Sequence, residues 1–247
     1  MYSAIKKLGY HNVDDKGYLT LCSIMNSLQS IGGFFAEEKG FGEKYLFDNN
    51  IGWIVYNWNI EIFKLPNIRE TASVIVKTGI YNFSGSIVER YYEICDMQNK
   101  PLIKGFATWV LISMENMLPT RLNDNIKEIA KRGKEELSLE LSEPCTRKIE
   151  KCLIKNTDNF EDAFHSYVFK SYIDIRGHMN NARYLELIME IADIKDFSGL
   201  LITYNKSLSY KEEFTIKKLE DKNGLNVVFV TIDKNKEVIN CSIRLCK

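Results

Sequence analysis

The segment DIRGHMNN, from Asp174 to Asn181, groups a carboxylate, a guanidinium, an imidazole and two amides around one glycine. A carboxylate can act as a base or as a nucleophile, and an imidazole can orient a water molecule. If a helix follows, its first backbone N–H groups lack internal acceptors and can stabilise an oxyanion. The segment is therefore a candidate reactive site. The alternative is a polar turn that only precedes a helix.

The residues after this segment predict a buried helix. One apolar stripe consists of Ala182, Leu185, Ile188 and Ala192, and a second consists of Leu187, Ile191 and Ile194. A helix that is apolar on more than one side is buried. Asn180 or Asn181 is a suitable N-cap for it.

An earlier segment, Val13 to Gly40, has a similar pattern. When Asp14 is set on Asp174, Lys16 falls on Arg176 and Gly17 falls on Gly177, and an apolar helical pattern follows in both. The first copy lacks the histidine and the asparagines, so we expect it to bind and not to catalyse.

Each predicted helix is followed by four strand-like runs rich in β-branched and aromatic residues. This order predicts an α+β fold in which each of two repeats is an antiparallel sheet wrapped around a central buried helix. The expected repeats are residues 1–122, which hold the binding half, and residues 159–247, which hold the DIRGHMNN motif. Residues 123–158 are charged and helix-prone, so we expect a solvated connector with one surface helix, not a ligand site.

The overall composition excludes several classes of function. The 247 residues contain 33 Lys plus Arg and 33 Asp plus Glu, so there is no global basic field that would attract nucleic acid. Six scattered cysteines form no C-x-x-C pair and have no histidine at ligand spacing, and we expect neither a metal site nor disulfides. No apolar run approaches the ~20 residues of a membrane helix, and no signal peptide is recognisable at the amino terminus. We therefore expect a cytoplasmic protein without a membrane span.

The pattern D-x-x-G-H-M-N-N-x-x-Y ahead of a buried helix resembles the hotdog-fold thioesterases. Segments of the first half that contain Gln29, Trp53, Pro66, Arg90 and Trp109 in order resemble the acyl-acyl-carrier-protein (acyl-ACP) thioesterases of plants and bacteria. The resemblance extends from Tyr10 to the last strand. It implies two tandem hotdog repeats with one acyl-thioester tunnel.

The resemblance also implies an activity and a partner. The reaction would be hydrolysis of acyl-ACP to free fatty acid and carrier protein, which terminates fatty-acid synthesis, with no cofactor or metal. The partner would be an acyl carrier protein with a fatty acyl phosphopantetheine arm, and the enzyme would be a monomer or a homodimer. Two alternatives remain open: a thioesterase that acts on acyl-coenzyme A, and a non-catalytic protein that only binds acyl thioesters.

Site residues follow from the same resemblance. Asp174 and His178 occupy the places of the family's catalytic aspartate and histidine, although Asp174 could instead cap the turn and His178 could instead fix it. With them we group Arg176 and Asn181, the latter expected to be architectural. The residues expected to bind substrate are Gly177, Asn180, Tyr204, Ser207, Trp53, Met25 and Leu28.

Two positions depart from the family pattern. Arg176 stands where plant and many bacterial members have asparagine, and Ser207 stands where they have glutamate. Arg176 could lie beside Asp174 and favour its ionised form, contact a phosphate of the phosphopantetheine arm, or point to solvent. We favour the last alternative, with the chemistry carried by one aspartate and one backbone amide, as in smaller hotdog thioesterases. Glu212 and Glu213 are poor substitutes for the missing glutamate.

Overall fold

The computed structural model describes residues 1–140, 152, 154, 157–192, 197–220, 226–233 and 238–246. Within them, four α-helices accompany a 10-stranded antiparallel sheet. The helices are α1 (Leu21–Glu38), α2 (Glu43–Asp48), α3 (Asp124–Glu140) and α4 (Asn181–Met189). The strands are β1 (Tyr2–Lys7), β2 (Ile51–Ile62), β3 (Ser73–Ser84), β4 (Ile87–Cys95), β5 (Pro101–Ser113), β6 (Glu161–Tyr167), β7 (Gly199–Tyr204), β8 (Glu213–Glu220), β9 (Asn226–Asp233) and β10 (Val238–Cys246).

The strand order shows that the sheet is two copies of one unit. The order is β1-β3-β4-β5-β2-β7-β10-β9-β8-β6, so the second half repeats the first half in reverse. The two copies join where β2 pairs with β7, antiparallel, from Asn57–Thr203 to Glu61–Gly199. The sheet is therefore continuous through both repeats, as the duplicated sequence predicts.

The central helix of each repeat is buried in the core that it forms with this sheet. Met25 and Leu28 of α1 are fully buried. Leu185 and Ile188 of α4 are each only 1% exposed. The two helices also contact each other, and both contribute to a single large core cluster. The expected α+β fold, with a sheet around a buried helix in each repeat, is confirmed.

The loops ahead of α1 and α4 share the same bridge and the same glycine turn. A bridge joins Val13 to Leu19 in the first repeat, and the equivalent bridge joins Ile173 to Met179 in the second. The turns contain Gly17 at φ +88° and Gly177 at φ +80°, a left-handed conformation that glycine adopts without steric cost. We call these segments the 14–20 loop and the 174–180 loop.

Helix α3 is not the solvated surface helix that its charge suggests. It packs across β3. Its own residues Ile126, Ala130, Gly133 and Leu137 are buried. These residues recur every three or four positions, which is the spacing of an apolar helix face. The connector thus contains the expected helix, with its charges on the outer face and an apolar face against the sheet. Residues 141–151, 153 and 155–156 of the connector lie outside the described residues.

No helix in the described part of the chain is long and apolar enough to cross a membrane.

Candidate active site

The carboxylate of Asp174 holds the 174–180 loop together and keeps one oxygen unused. Its Oδ1 accepts hydrogen bonds from the backbone N–H of Arg176 at 2.8 Å and of His178 at 3.3 Å. Within the described residues, Oδ2 has no hydrogen-bond donor. Asp174 therefore caps the turn through one oxygen, and the other oxygen is available for chemistry.

The first repeat contains the same capped turn. Oδ1 of Asp14 accepts hydrogen bonds from the N–H of Lys16 at 3.0 Å and of Tyr18 at 2.8 Å. Asp14 is not on the wall of the large cavity described below, whereas Asp174 is. The capping role therefore belongs to the fold of both repeats, and only Asp174 combines it with access to a cavity.

The start of α4 supplies backbone donors beside this carboxylate. Asn180 is the N-cap, and its Oδ1 accepts a hydrogen bond from Ala182 N–H at 2.9 Å. The N–H of Asn181, the first helical residue, has no acceptor among the described residues. Because such amides carry the positive end of the helix dipole, Asn181 N–H can stabilise an oxyanion that forms in the cavity.

Tyr204 fixes Asn181 from the neighbouring strand. Its hydroxyl donates to the carbonyl oxygen of Asn181 at 3.0 Å. Burial, with smaller contributions from Cys241 and Tyr184, raises the pKa of Tyr204 well above its usual value, so the phenol stays protonated and remains a donor. Tyr204 is thus a second residue that sets the position of the helix start.

The imidazole of His178 is not part of the turn's hydrogen bonding. The backbone of His178 donates to Asp174 Oδ1, and its carbonyl accepts from Asp174 N–H at 2.9 Å. Its ring has no hydrogen-bond partner among the described residues, and the residue is on the cavity wall. The ring does not fix the turn and can contact a substrate or a water molecule.

Arg176 contacts the first repeat. Its Nη1 donates to the carbonyl oxygen of Trp53 at 3.0 Å, and its Nη2 lies 3.8 Å from Glu43 Oε2. Arg176 can come this close to β2 because residue 52 is a glycine. A Cβ atom at Gly52 would lie 2.5 Å from Arg176 Nη1. The side chain is a quarter exposed. The expectation that it points to solvent is wrong, and its guanidinium bonds to β2 and α2 rather than to the Asp174 carboxylate, since β2 lies within reach.

One cavity of about 900 Å³ connects the two repeats; we call it the central cavity. In the second repeat its wall includes Asp174, Arg176, His178, Asn181 and Tyr204. Apolar residues of the first repeat and of α3 also form the wall, among them Leu46, Ile80, Val88, Ile126 and Ala130. The size and the mainly apolar wall suit a long flexible ligand with a polar group at one end.

The structure brings together most of the residues proposed from the sequence. Trp53 and Ser207 line the central cavity, Ser207 from the exposed loop after β7. Gly177 and Asn180 are not on the wall, because one forms the turn and the other caps α4. Met25 and Leu28 are in the main core and not on the wall, because the face of α1 that carries them points toward the core.

Several residues on the wall of the central cavity were not predicted from the sequence. Glu43, Asn205 and Lys206 join the rim of the cavity, and nothing in the spacing of these polar loop residues distinguishes them from ordinary surface residues. Ile126 and Ala130 could have been found from the apolar face of α3. Glu212 binds the N–H of Ser209 through its Oε2 at 2.7 Å, and neither it nor Glu213 is on the wall.

Family models match both halves of the chain. The acyl-ACP thioesterase N-terminal domain matches residues 2–130, and the acyl-ACP thioesterase C-terminal domain matches residues 155–244. This chain belongs to the acyl-ACP thioesterase family. It is therefore a thioester hydrolase, and its reaction is hydrolysis of acyl-ACP. The comparison with curated proteins gives no match.

Solved structures support the same fold. An acyl-ACP thioesterase from Bacteroides thetaiotaomicron has a TM-score of 0.82 at 19% identity, with 99% of this chain and 96% of that chain covered. The 12:0-ACP thioesterase from Umbellularia californica has a TM-score of 0.77 at 14% identity, with 99% and 95% covered. At these identities the likeness establishes the fold, which is the double hotdog expected from the sequence.

Proposed function

We propose that this acyl-ACP thioesterase has one catalytic centre, built by the 174–180 loop and the start of α4. Asp174 Oδ2 acts as the general base, and Asn181 N–H is the oxyanion donor. The observation that supports this assignment is that both groups are unused in the fold and belong to residues on the wall of the same cavity. The 14–20 loop has the same capped turn without that access, so the first repeat is not a second catalytic centre.

The chemical steps follow from these positions. Asp174 Oδ2 removes a proton from a water molecule, and the water oxygen attacks the thioester carbonyl carbon. The resulting oxyanion accepts a hydrogen bond from Asn181 N–H. The C–S bond then breaks, and the proton held by Asp174 passes to the leaving thiolate. The products are a fatty acid and the free thiol of the carrier protein's arm.

His178 and Arg176 have supporting roles in this scheme. The free imidazole of His178 orients the attacking water. Arg176 positions the loop: its bonds to Trp53 and Glu43 hold the loop against β2, and they leave the carboxylate of Asp174 free. A phosphate contact of Arg176 is not needed in this scheme, because its guanidinium already has protein partners.

In this scheme the parts of the chain have different roles. Residues 1–122 hold the acyl chain, residues 159–247 carry the chemistry, and residues 123–158 connect them, with α3 as part of the acyl wall. Because two repeats already share one sheet, a monomer is sufficient for activity. Release of free fatty acid would terminate fatty-acid synthesis, and we place that task in the cytoplasm.

The substrate is tested by thiol release from purified protein. Acyl-ACP and acyl-coenzyme A of the same chain lengths are compared, and we expect a higher kcat/KM for acyl-ACP. A higher kcat/KM for acyl-coenzyme A would show that coenzyme A, and not the carrier protein, carries the preferred acyl group. Absence of thiol release from every thioester, together with binding of acyl ligands, would favour a non-catalytic binding protein.

A further inference from the structure

A buried guanidinium lies on the wall of the central cavity, within the apolar half. Arg90 of β4 is only 7% exposed, and it lines the cavity. Its Nε and Nη2 both donate to Thr78 Oγ1, at 3.3 and 3.2 Å. Since a guanidinium has five N–H groups in a rigid fork, one hydroxyl oxygen leaves most of its donor capacity unused.

The charge of Arg90 is compensated by aromatic rings and not by an acid. The guanidinium lies 4.4 Å from the centroid of Phe35 and 5.8 Å from that of Tyr92. None of the described residues gives it a carboxylate partner. Burial lowers the pKa of Arg90, and Tyr92 opposes that effect. A buried cation without an anion is unusual, because buried charges are normally paired.

A second donor in the same cavity is also unpartnered. Gln29 of α1 lines the central cavity, and its Nε2 is buried without a hydrogen-bond partner within the described residues. Arg90 and Gln29 both offer N–H groups, so the ligand group that fits them is an acceptor. A purely hydrocarbon chain would cover the unused N–H groups of Arg90 and return no hydrogen bond.

The position of Arg90 places that acceptor away from the thioester. The 174–180 loop contacts β2 through Trp53, and the sheet order from there is β2, β5, β4. Two interstrand spacings put β4 about 10 Å from β2. Ile80, which pairs with Arg90 in the sheet, and Val88 make the wall around Arg90 apolar. The acceptor therefore belongs to the middle or the far part of an acyl chain and not to the reacting carbonyl.

We propose that Arg90 binds an oxygen atom carried by the acyl chain, so that chains with a hydroxyl or carboxylate oxygen are preferred over plain hydrocarbon chains. This inference rests on the proposed function, since it needs the acyl chain to lie in the first repeat. Arg90 acts here as a specificity residue and takes no part in bond breaking.

The test compares three carrier-protein thioesters at each chain length: the plain chain, the chain with a mid-chain hydroxyl group, and the chain that ends in a carboxylate. For the wild type we expect kcat/KM to be about 10-fold or more higher for at least one oxygenated chain. The hydroxyl and carboxylate arms then identify the source of the oxygen. Equal or higher kcat/KM for the plain chain at every length overturns the inference.

Three variants assign the preference to Arg90. Arg90→Met keeps the length of the side chain without N–H donors and should abolish the preference. Arg90→Lys keeps the charge and should retain part of it. The matched control Ile80→Val changes an apolar wall residue and should leave the preference intact. A preference that persists in Arg90→Met would overturn the role of Arg90.

The comparison of kcat/KM values for plain and oxygenated chains uses only the wild-type protein. It therefore tests the inference even if Arg90→Met does not fold. It also separates two failures. If the wild type releases thiol from none of the thioesters, the proposed function fails. If it hydrolyses plain chains best, only the inference about Arg90 fails.

Discussion

Arg176 is the side chain by which the 174–180 loop contacts the first repeat. Its hydrogen bond to Trp53 and its ion pair with Glu43 cross from the second repeat to the first repeat. The side chain of Arg176 therefore does not bond within the 174–180 loop, which is described in full. It anchors the loop to residues of the first repeat. We propose that this anchor keeps the 174–180 loop in place against β2.

Replacement of Arg176 by asparagine should lower activity. A hydrogen bond to a charged group contributes about 1.5–3 kcal/mol, so its loss should reduce kcat/KM by about 10-fold or more. The matched control is Lys16→Asn, because Lys16 occupies the equivalent place in the 14–20 loop and is exposed. Steady-state kinetics on acyl-ACP provide the measurement. Unchanged or raised kcat/KM in Arg176→Asn would contradict the anchoring role.

The contacts of Arg176 could not be predicted from the sequence. Trp53 is 123 residues away, and the two residues meet only because β2 pairs with β7. The empty space over Gly52, which admits the guanidinium, depends on the same packing. The capped turn is different: Asp174, its glycine and its N-cap are local features, and the copy at Asp14 made them predictable.

At the scale of the elements, α3 closes the far part of the central cavity. Ile126 and Ala130 are on the cavity wall, and Gly133 approaches Ile80 of β3, where an added Cβ would lie 3.3 Å from its side chain. The sequence contains the apolar face of α3, but its many charges favoured a solvated helix. The helix therefore packs with the first repeat and contributes to the cavity wall.

Enlargement of a wall residue on α3 should shorten the preferred acyl chain. Ala130→Leu fills the far end of the cavity, and each displaced CH₂ group loses about 0.8 kcal/mol of burial. We expect kcat/KM for the longest accepted chain to fall by about 10-fold or more, with a destabilisation of roughly 1–3 kcal/mol. The control Lys131→Leu changes an exposed neighbour. Equal chain-length profiles for the two variants would contradict the assignment of α3 to the wall.

At the scale of the whole molecule, the two repeats form one folding unit. They share a sheet through β2 and β7, and both central helices belong to one core cluster. The sequence predicted this architecture well, because alternating strand patterns and the duplicated motif report local structure. The path of the cavity was not predictable, since its walls come from elements far apart in sequence.

Equilibrium unfolding should therefore be a single transition. All three tryptophans, Trp53, Trp58 and Trp109, lie in the first repeat, so their fluorescence reports on that repeat alone. Far-ultraviolet circular dichroism reports on both. We expect the two probes to give coincident curves in urea. Separate midpoints would show that the repeats unfold independently.

We propose that Asp174 is catalytic, whereas Asp14, in the same capped turn, is only structural. The most direct test is kcat on acyl-ACP for Asp174→Asn beside Asp14→Asn, with the unfolding free energy of each variant measured in parallel. Asparagine keeps an Oδ1 acceptor for the turn amides and removes the base. We expect kcat to fall by roughly 100- to 10,000-fold in Asp174→Asn and to stay within a few-fold of wild type in Asp14→Asn. Similar kcat values for the two variants would contradict the claim.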